Sequence, residues 1–383
     1  KNKYFIGTPF VIMKNTVSIL NRIKVIHVIT SPCGGGAETL VRKLMKLTNA
    51  LGIDCKAVYF NCSAECAKNL KRINYSVDEI NLNVNYRSPF AIFKLRKLFK
   101  FELKSSSNLI IHAHLTWPMF YVPIASIGLP VKLVFTEHDT YNSRRKYIFF
   151  KYAERIFYNQ YSSIIAISNG VKDSLKIWLS IDLFKKVLTI TNGSRFFSLK
   201  NRESLGECIN FISVGSLARK KGFEKTIKAL ARLEHFDWQY EIVGEGPLRP
   251  ELEELIISLK LQDKVKLNGW SSAVEEKYHN ADIQLIPSTF EGFGLVAIEG
   301  MSTGLPVIAS DVNGLNEVVL SSIDSCFLVK NPKDITEWTS KIQLCINALE
   351  KDLKYICQVS FKHSQEFSLE KMAKNYLDLY KQL

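Results

Sequence analysis

The first half of the chain alternates short runs rich in β-branched residues with longer segments of helical periodicity. The runs predict strands and the periodic segments predict helices, because buried parallel strands are continuously apolar whereas helices repeat every three to four residues. We predict strands over residues 22–30, 54–60, 109–112, 132–136 and 163–167, and helices over 34–51, 89–103 and 147–158. Strands that alternate with helices indicate parallel βαβ units.

A polar stretch without periodicity, residues 192–207, interrupts this alternation, which then restarts. The second half predicts strands over 210–214, 239–243, 264–267, 282–287 and 306–309, and helices over 222–233, 248–259 and 294–303. We therefore predict an α/β protein with two tandem, doubly wound, Rossmann-like domains, residues 1–198 and 205–362, and a ligand cleft between their carboxyl edges. An amphipathic segment at 367–383 is predicted to pack back on the first domain.

Composition fits a folded chain, but its charge is uneven. The 383 residues are 46% hydrophobic and 23% charged, which excludes a disordered chain and a polytopic membrane protein. Residues 1–190 carry 28 Lys and Arg against 11 Asp and Glu, a balance of +17, whereas residues 191–383 carry 23 against 26, a balance of −3. This asymmetry favours an anionic partner, although scattered solvated lysines would produce the same count.

Two apolar stretches resemble membrane segments only superficially. Residues 1–15 lack the apolar core and cleavage site of a secretory signal, and Met13 is an alternative start that would leave residues 1–12 outside the fold. Residues 115–131 are interrupted by three prolines, so we expect a buried helix and strand there. The eight cysteines form no CxxC pair, which favours reduced thiols in a cytoplasmic protein.

The most informative segment is residues 287–311, where a strand is followed by a glycine-containing turn and a helix. The first amides of such a helix are unpaired, so its start is an anion site supported by the helix dipole. Glu291 and Glu299 would lie about 12 Å apart along a helix, beyond the roughly 5 to 9.5 Å of glycosidase carboxylate pairs. We interpret them as holding two ends of one long ligand, a nucleotide sugar, with two solvated surface glutamates as the alternative.

This segment and three others, at 215–223, 242–255 and 314–319, resemble the motifs of glycosyltransferase family 4, whose members are retaining enzymes of the GT-B fold. The resemblance extends over most of the chain from Ile23 onward. It implies that Glu291 contacts hydroxyls of the donor sugar and that Glu299 binds the nucleotide ribose. It also places the intervening turn at the donor, through Gly292, Phe293, Gly294 and Leu295.

Lys221 matches the family lysine that holds the donor diphosphate. A fixed cation there would stabilise the negative charge that develops on the departing diphosphate. The family arginine five positions earlier is Ser216 in this chain, and Arg219 or Lys220 is expected to replace it, with Arg219 favoured. The alternative is that this basic cluster is a solvated loop.

Other donor contacts are expected at the ends of predicted strands. Gly246 matches a glycine-containing loop beside the nucleotide, and Trp270 follows a strand near the base, although a tight turn and a core tryptophan are the alternatives. Gly35 and Gly36 permit close approach of the backbone to an anion at the start of the first helix, where a bare turn is the alternative.

The histidines divide into one functional candidate and three structural ones. His138 follows the strand at 132–136, and the resemblance implies that it touches the donor sugar and supports developing positive charge or positions the acceptor. His112 and His114 are expected to be mainly structural, with His114 a candidate acceptor contact, and His27 is expected in the core. No DxD cluster follows a strand of the first half, so we expect neither a divalent metal nor another cofactor.

Two basic and aromatic segments, residues 89–104 and 144–157, predict contact with an anionic membrane. Each segment could instead cover its own sheet with its apolar face. A helix-turn-helix spacing, a zinc finger and an RNA-binding signature are absent from the sequence, so we expect no nucleic-acid partner and a polyanion-binding module is disfavoured.

Together these patterns predict a retaining, metal-independent glycosyltransferase with His138, Lys221 and Glu291 as its catalytic residues. It would transfer a hexose or N-acetylhexosamine from a nucleotide-diphosphate sugar, with UDP expected, to a glycan or lipid-linked glycan. The expected setting is the synthesis of a surface polysaccharide such as capsule or O-antigen, at the inner face of the cytoplasmic membrane. A UDP-sugar epimerase of GT-B architecture is the alternative.

Overall fold

The computed structural model describes residues 23–32, 35–61, 78–233 and 236–383, without the side chains at positions 143 and 144. The predictions for residues 1–22, including the alternative start at Met13, lie outside these ranges. So do the start of the first predicted helix at Gly34 and the environments of Cys33, Cys62 and Cys66.

The first lobe is a seven-stranded parallel sheet with the strand order β3-β2-β1-β4-β5-β6-β7. Its strands are β1 Ile23–Ile29, β2 Asp54–Tyr59, β3 Glu79–Asn81, β4 Asn108–His114, β5 Val131–Glu137, β6 Ser163–Ala166 and β7 Val187–Thr189. Its helices are α1 Gly36–Ala50, α2 Phe90–Glu102, α3 Thr116–Ser126, α4 Ile148–Gln160, α5 Asn169–Trp178 and α6 Ile181–Phe184.

The second lobe is a six-stranded parallel sheet with the order β10-β9-β8-β11-β12-β13. Its strands are β8 Cys208–Val214, β9 Asp237–Val243, β10 Val265–Gly269, β11 Ile283–Ile286, β12 Val307–Ser310 and β13 Cys326–Val329. Its helices are α7 Phe223–Leu230, α8 Arg249–Ser258, α9 Val274–His279, α10 Leu295–Ser302 and α11 Ile335–Ser364, and a final helix, α12, spans Leu369–Gln382.

The predicted architecture of two parallel-sheet, Rossmann-like units is confirmed. β1 is buried at every position, as expected for a strand with helices on both faces of its sheet. The uncharged run at 115–131 forms the buried helix α3 and the start of β5, as predicted. Among the described residues, no helix is both long enough and apolar enough to cross a bilayer.

The sequence patterns missed α5 and the long helix α11. Ser168 begins α5 by accepting a hydrogen bond from the amide of Val171, a local capping signal that the apolar pattern does not contain. Within α11 the backbone of Asp352 leaves the helical region, with φ −157°. This break divides α11 into two helical segments, although the buried positions keep their spacing of three to four residues across it, from Leu349 to Leu353 and Ile356.

Helix α12 packs on the first lobe, against α1. Its residues Met372, Tyr376 and Tyr380 belong to the same buried cluster as residues of β1 and β2. The chain therefore returns from the second lobe to complete the core of the first.

Candidate functional site

A cleft of about 430 Å³ lies between the lobes at the carboxyl ends of their strands. Both lobes contribute to its walls, including Gly35, Glu38, His138, Asp139, Lys221 and Glu291. The starts of α1 and α10 face each other there, since a Cβ on Gly36 would lie 3.5 Å from Cδ1 of Leu295. Two helix N-termini at one cleft form a suitable environment for a polyanion.

Lys221 and Glu291 form an ion pair inside this cleft. The Nζ atom of Lys221 lies 2.7 Å from Oε2 of Glu291, and the two side chains are 13% and 18% exposed. The hydroxyl of Ser288 donates to the same carboxylate oxygen at 3.1 Å. The pair therefore presents a fixed positive charge and a fixed carboxylate side by side, on the wall that includes the start of α10.

Glycines bring the loop before α10 close to the first lobe. A Cβ on Gly292 would lie 2.2 Å from the carbonyl oxygen of His138, so a side chain cannot fit between the two backbones. Gly294 precedes the helix in the left-handed region, at φ +92°. Because α10 begins at Leu295, Glu291 lies in this loop rather than on the helix itself.

Two further carboxyl groups, those of Glu38 and Asp139, line the cleft and were not predicted from the sequence. Burial raises the pKa of Glu38, on the first turn of α1, and the nearby charge of Asp139 raises it further. Burial is also the main reason that the pKa of Asp139 is raised. Groups of this kind in a cleft are suited to bind hydroxyl groups or to exchange protons. Their sequence signal is their position beside two predicted site residues, since Glu38 lies two positions after Gly36 and Asp139 directly follows His138.

His138 reaches the cleft with 8% of its surface exposed. Its Nε2 atom lies 3.1 Å from Nδ1 of His114. Burial lowers the pKa of His138 to about 4, so the ring is neutral at neutral pH. His114 itself is fully buried, which agrees with the structural role expected for it.

Glu299 is bound by an arginine, Arg195, that no sequence motif indicated. The Nε atom of Arg195 lies 2.7 Å from Oε1 of Glu299. Lys43 on α1 is also close, since burial and the charge of Arg195 lower its pKa while Glu299 raises it. Two cations from different segments therefore surround the carboxylate that was expected at the ribose.

Some predicted site residues lie elsewhere. Ser216, Lys220 and the segment Gly292, Phe293, Gly294 and Leu295 line the cleft, whereas Arg219, Gly246, Trp270 and Glu299 do not line it. Lys220 is therefore closer to the cleft wall than the favoured Arg219. Trp270 is 65% exposed, so the alternative of a core tryptophan is wrong.

Both lobes also meet along a seam next to the cleft. The carboxylate of Glu317, in the second lobe, accepts hydrogen bonds from the amides of Asn169 and Gly170 at the start of α5, at 2.7 and 2.6 Å. The hydroxyl of Thr140 donates to the carbonyl of Glu291 at 3.2 Å. These contacts join the lobes beside the ion pair.

Comparison with known families assigns this architecture. The family "Glycosyltransferase Family 4" matches residues 34–193, and "Glycosyl transferases group 1" matches residues 199–357. The chain belongs to glycosyltransferase family 4. The two matches divide between the two lobes, and together they include every residue described at the cleft.

Relatives of the chain include glycosyltransferases named for different transferred sugars. An uncharacterised glycosyltransferase of Methanocaldococcus jannaschii is 29% identical over 51% of this chain and 54% of its own length. The alpha-D-kanosaminyltransferase of Streptomyces kanamyceticus is 29% identical over 55% and 61%. The O-antigen chain mannosyltransferase RfbU of Salmonella typhimurium is 25% identical over 57% and 62%. The chain thus matches little more than half the length of these relatives.

Solved structures share the GT-B fold of this glycosyltransferase. A glycosyltransferase from Rickettsia africae superposes with a TM-score of 0.78 at 24% identity, covering 94% of this chain and 98% of that protein. HepE of Anabaena, solved in complex with UDP and glucose, superposes with a TM-score of 0.75 at 20% identity, covering 94% and 100%. The predicted fold is therefore confirmed.

Proposed function

We propose that this protein is a retaining glycosyltransferase that transfers a hexose or N-acetylhexosamine from a UDP-sugar to a glycan or lipid-linked glycan during surface polysaccharide synthesis. The observation that carries the proposal is the ion pair of Lys221 and Glu291 in a cleft where the starts of α1 and α10 meet. HepE in complex with UDP and RfbU, named as an O-antigen chain mannosyltransferase, support the donor class and the setting.

The positive groups of the cleft would hold the leaving diphosphate. Cleavage of the bond between sugar and phosphate leaves an added negative charge on the diphosphate, which Lys221 and the first amides of α10 would stabilise. Lys220 lines the same cleft and is the better placed substitute for the family arginine. Because this chain supplies its own cations, we propose that the transfer needs no divalent metal.

The remaining groups would orient the sugar and the acceptor. Among the described residues, Lys221 and Ser288 both donate to Oε2 of Glu291, which leaves Oε1 for donor hydroxyls. Glu38 and Asp139 would bind the acceptor hydroxyl on the first-lobe side of the cleft. In a front-face reaction, that hydroxyl attacks the anomeric carbon as the diphosphate departs, and its proton passes to the departing phosphate oxygen.

A panel of nucleotide sugars with and without lipid-linked acceptors tests this function. We expect one UDP-sugar to be consumed faster with acceptor, to give a product of unchanged anomeric configuration by NMR, and to react equally well in EDTA. Glu291→Gln should abolish most of this activity, whereas Glu241→Gln, a paired glutamate outside the cleft, should not. Donor converted to an epimer without acceptor would indicate the epimerase instead, and inhibition by EDTA that manganese reverses would refute metal independence.

We also propose that the first lobe docks on an anionic membrane. Helix α4 exposes Ile148, Phe149, Tyr152 and Ile156 to 61–67%, whereas Glu154 on the same helix is fully buried. These four apolar side chains therefore face outward, although Phe150 and Tyr158 of the same helix pack against the core. The nearby cations of Lys146 and Lys151 are complementary to anionic lipid headgroups.

Vesicle flotation tests this docking. We expect binding to vesicles of phosphatidylglycerol and phosphatidylcholine but weaker binding to phosphatidylcholine alone. Replacing Ile148, Tyr152 and Ile156 together with serine should weaken binding more than tenfold, because each buried apolar side chain contributes on the order of 1 kcal/mol or more. The control is Ile257→Ser on α8, which is 59% exposed but lies in the other lobe. Equal binding by all proteins would refute the assignment of α4.

A further inference from the structure

Four histidines beneath the cleft form one continuous cluster, the histidine relay, made of His27, His112, His114 and His138. β1 and β4 pair in register with His27 opposite His112, and His114 lies two residues further along the same face. The first three rings are at most 1% exposed, whereas His138 reaches the cleft. The relay therefore connects the core of the first lobe to the substrate site.

Two ring-to-ring hydrogen bonds run from the core to the cleft. Nδ1 of His27 lies 3.0 Å from Nε2 of His114, and Nδ1 of His114 lies 3.1 Å from Nε2 of His138. His112 stacks on the middle ring, His114, with centroids 4.1 Å apart. Among the described residues, Nε2 of His138 is engaged by His114, and Nδ1 is the ring nitrogen left for a substrate.

All rings of this path are neutral. Burial lowers the pKa of His27 to about 3 and that of His138 to about 4, and it holds the pKa of His114 well below its usual value. Each neutral ring carries one N–H and one acceptor nitrogen. Because His114 must donate in one bond and accept in the other, only two arrangements exist. The N–H groups all point towards the cleft, or they all point towards the core.

An unpaired atom at the inner end distinguishes the two arrangements. Nε2 of His27 is buried without a hydrogen-bond partner among the described residues. If the N–H groups pointed towards the core, this atom would be a buried N–H without an acceptor in the described part of the chain. If they point towards the cleft, it is only an unused lone pair. Buried unpaired N–H groups are the rarer and costlier of the two.

We propose that His27 and His114 are positioning residues that hold His138 as an Nδ1–H donor towards a substrate oxygen in the cleft. The identity of that oxygen, a hydroxyl of the sugar or the acceptor, rests on the proposed function. The tautomer itself is a property of the protein without substrate.

Three clustered imidazoles also suggest a divalent cation as an alternative occupant. Both nitrogens of His114 are already engaged within the relay, and those of His112 are 2.7 Å from the hydroxyls of Tyr380 and Thr136. A cation would have to replace several of these bonds. The relay accounts for the same geometry without breaking any of them.

Long-range ¹H–¹⁵N NMR of histidine-labelled, unliganded protein at neutral pH reads the tautomers directly. We expect His27, His114 and His138 to be protonated at Nδ1 and not at Nε2. An Nε2–H tautomer at His114 or His138 would overturn the inference. Histidine signals that change when a chelator removes bound zinc would overturn it in favour of a metal site.

Variants of His27 test the consequence from a position that does not touch substrate. His27→Asn keeps an amide N–H near the place of Nδ1, so the His138 tautomer and turnover should stay within about twofold of the parent. His27→Asp offers an acceptor in place of that donor, so we expect His138 to lose the Nδ1–H tautomer and kcat/KM to fall about tenfold. Equal effects of both variants with unchanged tautomers would indicate a merely structural role.

The two parts of the inference fail separately. A wrong tautomer in the unvaried protein refutes the relay even if His27→Asp does not fold. A correct tautomer whose reversal leaves every measured transfer unchanged refutes the substrate contact. Absence of any glycosyl transfer refutes the proposed function and leaves the NMR result intact.

Discussion

Substitutions at the ion pair of Lys221 and Glu291 distinguish a contribution of Lys221 to stability from a contribution to catalysis. Replacing Lys221 with methionine removes the charge and leaves Glu291 with the hydrogen bond from Ser288 at 3.1 Å. The side chains of the pair are only 13% and 18% exposed, between a surface pair and a fully buried one. We therefore expect the free energy of unfolding to fall by about 1–3 kcal/mol.

The same substitution should slow catalysis much more. Loss of one preorganised group that stabilises transition-state charge costs about 2.7–4 kcal/mol, which is roughly a 10²- to 10³-fold decrease in kcat. Turnover is followed as nucleotide released from the accepted donor, and stability by chemical denaturation in the absence of ligand.

The double variant Lys221→Met/Glu291→Gln separates the two effects. It removes the unpaired carboxylate, so most of the lost stability should return, but kcat should stay low because both the cation and the carboxylate expected at the donor sugar are then missing. The matched control is Lys277 and Glu241, a pair at 2.7 Å in the same lobe outside the cleft, whose neutralisation should leave kcat unchanged. A double variant that regains turnover together with stability would refute a catalytic role for Lys221.

Substitutions in the cleft and in the core beneath it test three further features of the structure. Because burial raises the pKa of Asp139, the charge of Asp139 destabilises the fold above that pKa, and this cost is lost as the pH falls through it. Asp139→Asn should therefore raise the melting temperature at alkaline pH, and it should also lower kcat/KM. A lower melting temperature would contradict this. Gly292→Ala should lower kcat/KM at least tenfold, because its Cβ would lie 2.2 Å from the His138 carbonyl oxygen and would force the lobes apart. Small-angle scattering would detect this separation as a larger radius of gyration, and an unchanged radius would contradict it. Tyr380→Phe should reduce the free energy of unfolding by about 1–3 kcal/mol in a denaturant titration, because Nδ1 of His112 then stays buried without the hydroxyl that lies 2.7 Å from it. An unchanged midpoint would count against the hydrogen bond between His112 and Tyr380.

Local patterns were sufficient for the fold class, although they missed α5, α11 and the edge strands β3, β7 and β13. Continuous apolar runs followed by helical periods predicted both parallel sheets, because each βαβ unit is encoded within a few dozen residues. The glycines and acidic residues of 287–311 identified the cleft wall for the same reason, since the strand, the turn and the helix that form it are consecutive in the chain.

Residues that act through partners distant in sequence were not recognisable. Arg195 meets Glu299 across 104 positions, and Glu317 caps α5 across nearly 150. Neither contact follows from a periodicity or a motif. Likewise, His27 and His114 are ordinary core positions in their strands until the register of β1 and β4 places them side by side. The choice between Arg219 and Lys220 depended on a loop conformation that composition does not determine.

Because α12 is synthesised last but packs on the first lobe, the first lobe cannot complete its core until the whole chain has been made. About 180 residues lie between the end of β7 and the start of α12. At the usual ribosomal pace of about 5–20 residues per second, roughly 10–35 s pass between them. For that interval the nascent first sheet lacks the two tyrosines that fill one of its faces, and the exposed apolar surface is a natural target for chaperones.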